Sequence, residues 1–233
     1  MTAMNDTEFD RALVASAFTL AAERGWSETS VTAAARAADL PLDRARARFM
    51  GRAGILARFG QIADQAALAH AANEGDNRDR LFDLMMRRID VLQAHRAGVL
   101  ALRDYLPLRP ALTLMLGAAT AGSMAWLLEA AGIPAGGVRG NLRVQGLTAA
   151  WLYVMRAWQS DESEDLGATM AALDRALDRA VQAEAWIRPN RGGTMADETM
   201  FDDTVADISA EPELPTGMPP VPPPFDAPDS PPI

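Results

Sequence analysis

Apolar positions recur every three or four residues along most of the chain between residues 8 and 187. In the first such run, Phe9, Leu13, Ala17 and Leu20 share one helical face, and the run stops at Gly25. β-Branched residues are few and no alternation with a period of two persists, so no strand is predicted. The pattern predicts an all-α protein with helices near residues 8–24, 30–38, 42–49, 53–72, 78–105, 111–131, 138–159 and 163–186.

The second and third predicted helices are short, and a Leu-Pro break separates them. Thr29 or Ser30 can cap the second helix, because a hydroxyl accepts a hydrogen bond from a free backbone N–H group. Pro41 suits the first turn of the third helix, where its missing N–H has no partner to lose. Asp39 stands in the turn between them and tolerates the left-handed conformation better than most residues do. The pattern therefore predicts a tight turn between two packed helices.

Charge is distributed unevenly along the chain, whose formal net charge is −9. Residues 189–233 hold nine acids and one arginine, so the remaining 188 residues are close to neutral. Within that neutral part, four arginines and no acid lie between Arg44 and Arg52. The tail also holds most of the prolines, and we expect it to be disordered because it has little apolar surface to bury.

Two short helices joined by a tight turn, with arginines on the second, are typical of a helix-turn-helix that reads DNA. Ala45 and Phe49 supply the inward face of the third helix, which leaves its remaining polar side chains pointing outward. A solvated helical face is the alternative interpretation of these arginines. The DNA hypothesis depends on the guanidinium groups of Arg44 and Arg46 projecting outward instead of pairing with carboxylates of the same chain.

The stretch "TSVTAAARAADLPLDRARARFMGRAGIL" resembles the N-terminal domain of the TetR family of bacterial repressors, and the preceding "AAERGWSETS" resembles the lead-in of that domain. The resemblance covers about the first sixty residues. It implies a three-helix helix-turn-helix DNA-binding domain over residues 1–60 and a helical ligand-binding and dimerisation domain over residues 61–188. A disordered acidic, proline-rich tail over residues 189–233 would complete the chain.

The resemblance also implies roles for single residues, with double-stranded operator DNA as the partner. Thr29 would cap the second helix and touch a phosphate, while Arg46 and Arg52 replace the tyrosine and the lysine that contact phosphate in the family. Asp43 departs from the pattern: it caps the third helix, reads a cytosine amino group, or marks the loss of DNA binding. The residues assigned to DNA are Thr29, Arg36, Asp43, Arg44, Arg46, Ala47, Arg48 and Arg52.

The last two predicted helices carry an apolar seam at steps of three and four residues. Such a seam can be buried within the chain, or against a second copy as a four-helix bundle, which is how TetR-like proteins dimerise. We expect a homodimer, because a twofold protein suits a palindromic operator. The residues assigned to the dimer interface are Leu147, Trp151, Met155, Trp158, Leu166, Met170, Leu173 and Leu177.

Methionine and aromatic residues in the middle of the chain form a candidate pocket for an apolar ligand, although a stripe of this kind more often belongs to a packed core. Arg87, Arg88, His95 and Arg103 are the candidates for binding an anionic end of such a ligand. The residues assigned to the pocket are Phe82, Met85, Met86, Met115, Met124, Trp126 and Trp151.

A second resemblance supports an alternative function. Residues 143–180, and above all "WQSDESED", are similar to the C-terminal region of the ubiquinone-biosynthesis lipid-binding proteins. These proteins share the TetR fold but bind isoprenoid lipid instead of DNA, so the resemblance implies a lipid-binding accessory protein as the alternative.

An enzyme is not expected. The chain has no cysteine, which excludes thiolate nucleophiles and cysteine-based metal sites, and no nucleotide-binding glycine loop follows a strand. No cofactor or metal is therefore predicted. The N-terminus lacks the pattern of a signal peptide, and no uninterrupted apolar run is long enough to span a bilayer, so we expect a cytoplasmic protein.

Overall fold

The computed structural model describes residues 4–69 and 75–187, and every regular element within those ranges is a helix. The helices are α1 (Asp6–Arg24), α2 (Val31–Ala37), α3 (Leu42–Arg48), α4 (Gly51–Leu68), α5 (Asn77–Ala94), α6 (Arg96–Leu100), α7 (Leu102–Tyr105), α8 (Pro110–Ala130), α9 (Gly137–Ser160) and α10 (Gly167–Ile187), with a 3₁₀ turn at Leu106–Leu108. The predicted all-α class is confirmed. The predicted tail, residues 189–233, lies outside the described residues.

Local signals explain where α1 begins and ends. The side chain of Asn5 accepts a hydrogen bond from the Glu8 N–H at 2.9 Å, and the Glu8 carboxylate accepts one from the Asn5 N–H at 3.0 Å. This reciprocal pair satisfies two N–H groups that the first turn of a helix leaves free. At the other end, Gly25 adopts a φ of 81°, which glycine reaches without steric cost.

The helices α1, α2 and α3 form a unit that we call the head, with α4 leading from it. Phe9, Leu13 and Phe18 of α1 are fully buried or nearly so, and Trp26 packs edge-on against the Phe18 ring with centroids 4.9 Å apart. Phe49, which follows α3, is also buried. These contacts fix α1 behind α2 and α3 and leave the opposite side of α3 exposed.

The prediction of one continuous helix over residues 78–105 is wrong. The structure ends α5 at Ala94 and continues in two short helices, because α6 packs closely against α1. A side chain on Gly98 would place its Cβ only 2.5 Å from the carbonyl oxygen of Phe18. The same glycine accepts a 2.9 Å hydrogen bond from Nε1 of Trp26. Tertiary packing against the head therefore sets the path of the chain after Ala94.

The helices α4, α5, α8, α9 and α10 pack together and form a unit that we call the body, and its buried side chains belong to the same continuous core as those of the head. Each helix of this bundle contributes side chains with little or no exposure. They include Phe59, Leu84, Met85, Ile89, Met124, Leu127, Trp151, Val154, Trp158 and Leu173.

One helix of the body is unusually apolar. Among the described residues, α8 is long and apolar enough to cross a membrane by length and composition, with a mean hydropathy of 1.5. Polar residues such as Thr113 and Ser123 interrupt the apolar run of α8, so the expectation that no uninterrupted apolar run is long enough to span a bilayer is not contradicted.

Candidate nucleic-acid interface

The turn between α2 and α3 has the geometry that the sequence predicts. Asp39 adopts a φ of 51°, in the left-handed region, and the Leu40 N–H donates to the Ala35 carbonyl at 2.8 Å. Ala34 and Ala45 are completely buried where the two helices meet. Pro41 stands one position before α3 instead of inside its first turn. The head thus contains a compact helix-turn-helix.

Two of the five arginines assigned to DNA turn back onto α1. Arg44 forms an ion pair with Asp6 at 2.5 Å, donates to the Met4 carbonyl at 2.9 Å, and stacks over the Phe9 ring. Arg48 donates from Nε and Nη2 to the two carboxylate oxygens of Asp10, at 2.6 and 2.8 Å. The condition set by the DNA hypothesis, that Arg44 be free of carboxylate partners, is therefore not met.

The two carboxylates of α1 each hold two arginines. Asp6 also accepts a 2.6 Å hydrogen bond from Arg48, and Asp10 lies 3.2 Å from Nε of Arg58. The hydrogen bond from Arg44 holds the pKa of the Asp6 carboxyl below its usual value, while the bond to Asp10 raises the pKa of Arg48. Asp10 is nearly buried and Asp6 is exposed.

The other arginines assigned to DNA differ from this pair. Arg46 and Arg36 are exposed, and neither guanidinium has an ion pair or hydrogen bond with the part of the chain that the structure describes. Arg52 donates to the backbone carbonyls of Ser27 and Thr29, which hold it at the start of α4 without neutralising its charge. Arg46 therefore meets the condition that Arg44 fails.

The predicted role of Thr29 as a helix cap is wrong. Its hydroxyl donates to the Gly25 carbonyl at 3.1 Å, and the residue is only 1 % exposed, which places it away from any phosphate. The neighbouring Ser30 caps α2 instead, because its side chain accepts from the Ala33 N–H at 3.0 Å. Asp43 and Ala47 are exposed on the outer side of α3, as predicted for residues that face a ligand.

An open cleft of about 370 Å³ lies beside Arg46 on the outer side of the head. It runs between the start of α2, the side of α3 and the start of α4, whose first turn has no side-chain cap. Its lining combines hydroxyl, apolar and cationic groups from Ser30, Val31, Thr32, Leu42, Ala45, Arg46, Phe49, Gly51 and Arg52. Hydroxyls, guanidinium groups and free N–H groups at a helix start are the donors that bind phosphate oxygens.

The predicted apolar pocket does not form as a single group of residues. Met85 and Met124 are fully buried in the core of the body, whereas Met115 and Trp126 are 39 % and 66 % exposed on α8. Phe82 and Met86 are partly buried, and Trp151 is buried. Met115 and Trp126 therefore lie on the outer side of α8, apart from the buried Met124, and their assignment to a pocket stays a prediction.

The predicted anchors for an anionic ligand group are also dispersed. His95 packs between the rings of Phe18 and Phe59, and Arg103 is exposed beside Asp104. Arg88 is the exception, because its side chain is 6 % exposed and forms an ion pair with Asp64.

The buried Arg88–Asp64 pair joins several helices of the body. Asp64 on α4 also accepts a 2.6 Å hydrogen bond from the Ser123 hydroxyl of α8, and the Arg88 guanidinium lies over the Trp151 ring of α9. Nε of Arg88 has no hydrogen-bond acceptor among the described residues, and burial lowers the pKa of this group to about 10. The pair is the main polar cluster inside the body.

Most of the residues assigned to a dimer interface are buried by other residues of the same chain. Their side chains pack α9 and α10 against each other and against the rest of the body, so the seam is buried inside one chain. The assignment of these residues to a dimer interface stays a prediction, because periodicity identifies a covered face without saying what covers it. The buried members are Leu147, Trp151, Trp158, Leu166, Leu173 and Leu177, and Met155 and Met170 are partly buried.

The stretch that resembles the lipid-binding proteins has a structural role here. Asp161 accepts hydrogen bonds from the N–H and the hydroxyl of Thr169, at 2.8 and 2.7 Å, and from the hydroxyl of Ser163. Trp158 is fully buried and donates from Nε1 to the Gln93 side chain at 2.9 Å. These contacts form the turn that starts α10, so they do not identify a lipid site. Within the described ranges, no group of three or more acidic or histidine side chains could hold a metal ion.

Comparisons with known proteins identify the fold. No protein-family model matches the sequence, and no curated protein matches it. The structure is similar to that of a TetR transcriptional regulator from Nitrosomonas europaea ATCC 19718, with a TM-score of 0.62 and 22 % identity over 74 % of this chain and 98 % of that chain. A putative TetR-family transcriptional regulator from Rhodococcus sp. gives a TM-score of 0.53 and 20 % identity, with the same coverage. The chain has a TetR-like fold.

Proposed function

We propose that this protein is a TetR-like transcriptional regulator that binds operator DNA through α3. The observation that carries the proposal is the compact helix-turn-helix of the head, with the unpaired Arg46 above an open cleft. Residues 1–60 would form the DNA-binding domain and residues 61–188 the regulatory and dimerisation domain. A regulator of this kind acts in the cytoplasm and needs no catalytic group.

The roles of the head residues follow from their exposure and their partners. Arg46, Arg36 and Arg52 are placed to contact phosphate, since their charges are not neutralised by carboxylates of the described residues. Ala47 is exposed on α3 and suits contact with a thymine methyl group. Asp43 lies in the first turn of α3, where a carboxylate stabilises the helix and can accept a hydrogen bond from a cytosine amino group.

The second part of the proposal is that the protein forms a homodimer. Its interface would differ from the apolar seam between α9 and α10, from which the sequence predicts the interface. The outer sides of α9 and α10 carry exposed apolar residues, including Leu142, Leu152 and Val181. A shallow groove of about 320 Å³ between them is lined mainly by alanines and Gly146, which let another helix approach closely. Pairing these faces around a twofold axis would place two heads on one palindromic site.

Modulation by a small molecule is the third part of the proposal. Arg88 is the best placed anchor for an effector with an anionic group, because its Nε donor is buried and lacks an acceptor among the described residues. Its partner Asp64 lies on α4, the helix that begins beside the DNA-facing cleft. An effector that competes with Asp64 would thereby act on the helix that connects the body to the head.

The proposal is tested first by capturing genomic DNA with the full-length protein and sequencing it. The best duplex is then titrated at increasing salt, and a regulator should lose affinity steeply while retaining a preference for that sequence. Equal affinity for unrelated duplexes, or no binding at low salt, would contradict the proposal. Isoprenoid lipid that co-purifies with a protein unable to retain DNA would favour the lipid-binding alternative.

The variant Arg46→Ala tests whether the cleft beside Arg46 contacts DNA. The slope of log affinity against log salt should decrease by about 0.9 if one phosphate contact is lost, and affinity should fall to a similar extent for all sequences. Arg175→Ala is the matched control, because Arg175 is an exposed arginine of α10 with no assigned role. Identical slopes for the wild type and Arg46→Ala would show that Arg46 makes no contact with a DNA phosphate.

A further inference from the structure

We infer that Asp6 acts as a latch that keeps Arg44 away from the DNA phosphates, so that α1 limits the affinity of the recognition helix α3. The inference rests on the proposed DNA-binding function, because its main readout is salt-dependent binding. Asp6 would not touch DNA itself. It is a positioning residue that acts through Arg44.

The contacts of Arg44 define the closed state of this latch. Its Nη2 lies 2.5 Å from the Asp6 carboxylate, its Nη1 donates to the Met4 carbonyl, and its guanidinium lies 4.4 Å from the centre of the Phe9 ring. The three contacts place the guanidinium against the start of α1, and Arg44 is not among the residues that line the cleft beside Arg46. A phosphate oxygen must therefore compete with Asp6 for the same donors.

The exposed fractions of the two side chains indicate that a phosphate can compete with Asp6 for Arg44. The side chains of Asp6 and Arg44 are 65 % and 30 % exposed, and exposed ion pairs contribute little to stability because water and salt screen them. The neighbouring pair is different: Arg48 binds Asp10 through two parallel hydrogen bonds, and the Asp10 side chain is only 6 % exposed. Arg48 is therefore an anchor that stays with α1, and Arg44 is the arginine that can be released.

The contact between Asp6 and Arg44 determines the net charge on the outer side of α3. With Arg44 held by Asp6, the exposed ionisable groups of α3 are Asp43 and Arg46, whose charges cancel. Release of Arg44 would give this helix a net positive charge toward DNA. The number of phosphate contacts, and with it the salt dependence of binding, would increase by about one.

The test is a salt titration of the full-length protein on a random-sequence duplex of about 30 base pairs, so that no operator needs to be known. Asp6→Asn should steepen the slope of log affinity against log salt by about 0.9. When the salt is lowered from 200 to 50 mM, the affinity of this variant for DNA should therefore increase about 3.5-fold more than that of the wild type. Arg44→Ala should leave the wild-type slope unchanged. The double variant should behave like Arg44→Ala, because the effect of Asp6 passes through that arginine.

Glu23→Gln is the control for net charge. It removes one negative charge from the same helix, and Glu23 is exposed with no arginine partner among the described residues. It should leave the slope as in the wild type. An equal increase for Glu23→Gln and Asp6→Asn would overturn the latch, and so would a steeper slope for Asp6→Asn that persists in the double variant.

A measurement without DNA separates the failure of the latch from the failure of the proposed function. The pKa of the Asp6 carboxyl, followed by NMR, should be below its usual value in the wild type and should rise in Arg44→Ala. No difference between the two proteins would overturn the latch even if DNA binds. The expected difference together with no DNA binding by any variant would contradict the DNA-binding function, and with it the role given to the latch.

Discussion

At the residue scale, the pairing of charged side chains decides which groups remain available for binding. Asp6 and Asp10 lie four positions apart on α1, and Arg44 and Arg48 lie four positions apart on α3. Residues at this spacing share one helical face, so the two acidic and the two basic side chains meet when the helices cross. The matched spacing is visible in the sequence, but it becomes informative only when α1 and α3 are known to be neighbours.

The buried pair of Arg88 and Asp64 gives a prediction at the same scale. Asp64→Ala would leave a buried guanidinium without its carboxylate, and we expect the free energy of unfolding to fall by about 3–5 kcal/mol. The double variant with Arg88→Met should lose less than the single variant, because it removes the unpaired charge together with its partner. Chemical denaturation of the three proteins measures both differences.

Asp104→Ala is the control for that series, since Asp104 is an exposed partner of an exposed arginine. It should change stability little, as surface ion pairs do. An Asp64→Ala protein as stable as the wild type would show that water or another acceptor reaches Arg88.

At the element scale, periodicity predicts the helices well where local signals mark their ends. The Asn5 and Ser30 caps and the Gly25 stop set boundaries that lie within about two residues of the predicted ones. The break after Ala94 could not be predicted in this way. It depends on the approach of Gly98 to Phe18, which are distant in sequence, and no proline marks it.

The candidate site was predictable only in part, for the same reason. The small residues at the α2–α3 contact and the turn at Asp39 are local features, so the sequence identifies the helix-turn-helix. The directions of the Arg44 and Trp126 side chains depend on which helices surround them, and the spacing of residues along one helix does not show this.

The turn before α10 gives a prediction about how the stability of the protein depends on pH. Hydrogen bonds from Ser163 and Thr169 hold the pKa of the Asp161 carboxyl well below its usual value. Its contribution to stability is therefore present above the unfolded pKa of about 4 and is lost as the pH falls below that value toward the folded pKa. Asp161→Asn should be less stable than the wild type at pH 7, and the difference should shrink between about pH 5 and pH 3.

Thermal unfolding of both proteins over that pH range is the measurement. Glu162→Gln is the control, because Glu162 is an exposed carboxylate next to the same turn. A difference between Asp161→Asn and the wild type that is constant with pH would show that the charge of Asp161 does not stabilise α10.

At the scale of the whole molecule, the proposed assembly depends on which apolar surface is covered by a second copy. The seam between α9 and α10 is already filled within the protomer, which leaves the outer faces of these helices and the outer side of α8 as the exposed alternatives. Ala149 lies in the shallow groove on α9, and Ala118 lies on the outer side of α8.

Ala149→Glu should convert a dimer into a monomer, because it would place a carboxylate in an apolar contact between copies. Ala118→Glu is the matched control, since it introduces the same charge on the other apolar helix. Sedimentation analysis distinguishes the outcomes: dissociation by Ala118→Glu alone would move the interface to α8. A wild-type protein that is monomeric at all concentrations would contradict the dimer.

The contact of α6 with the head has a consequence for how the molecule can be divided. Trp26 donates a hydrogen bond to the Gly98 carbonyl, and the backbone of α6 lies directly against Phe18. A fragment ending near residue 60 would leave the Phe18, Trp26 and Phe59 rings without this cover, exposed to water. The head is thus completed by residues from beyond the end of its own sequence segment.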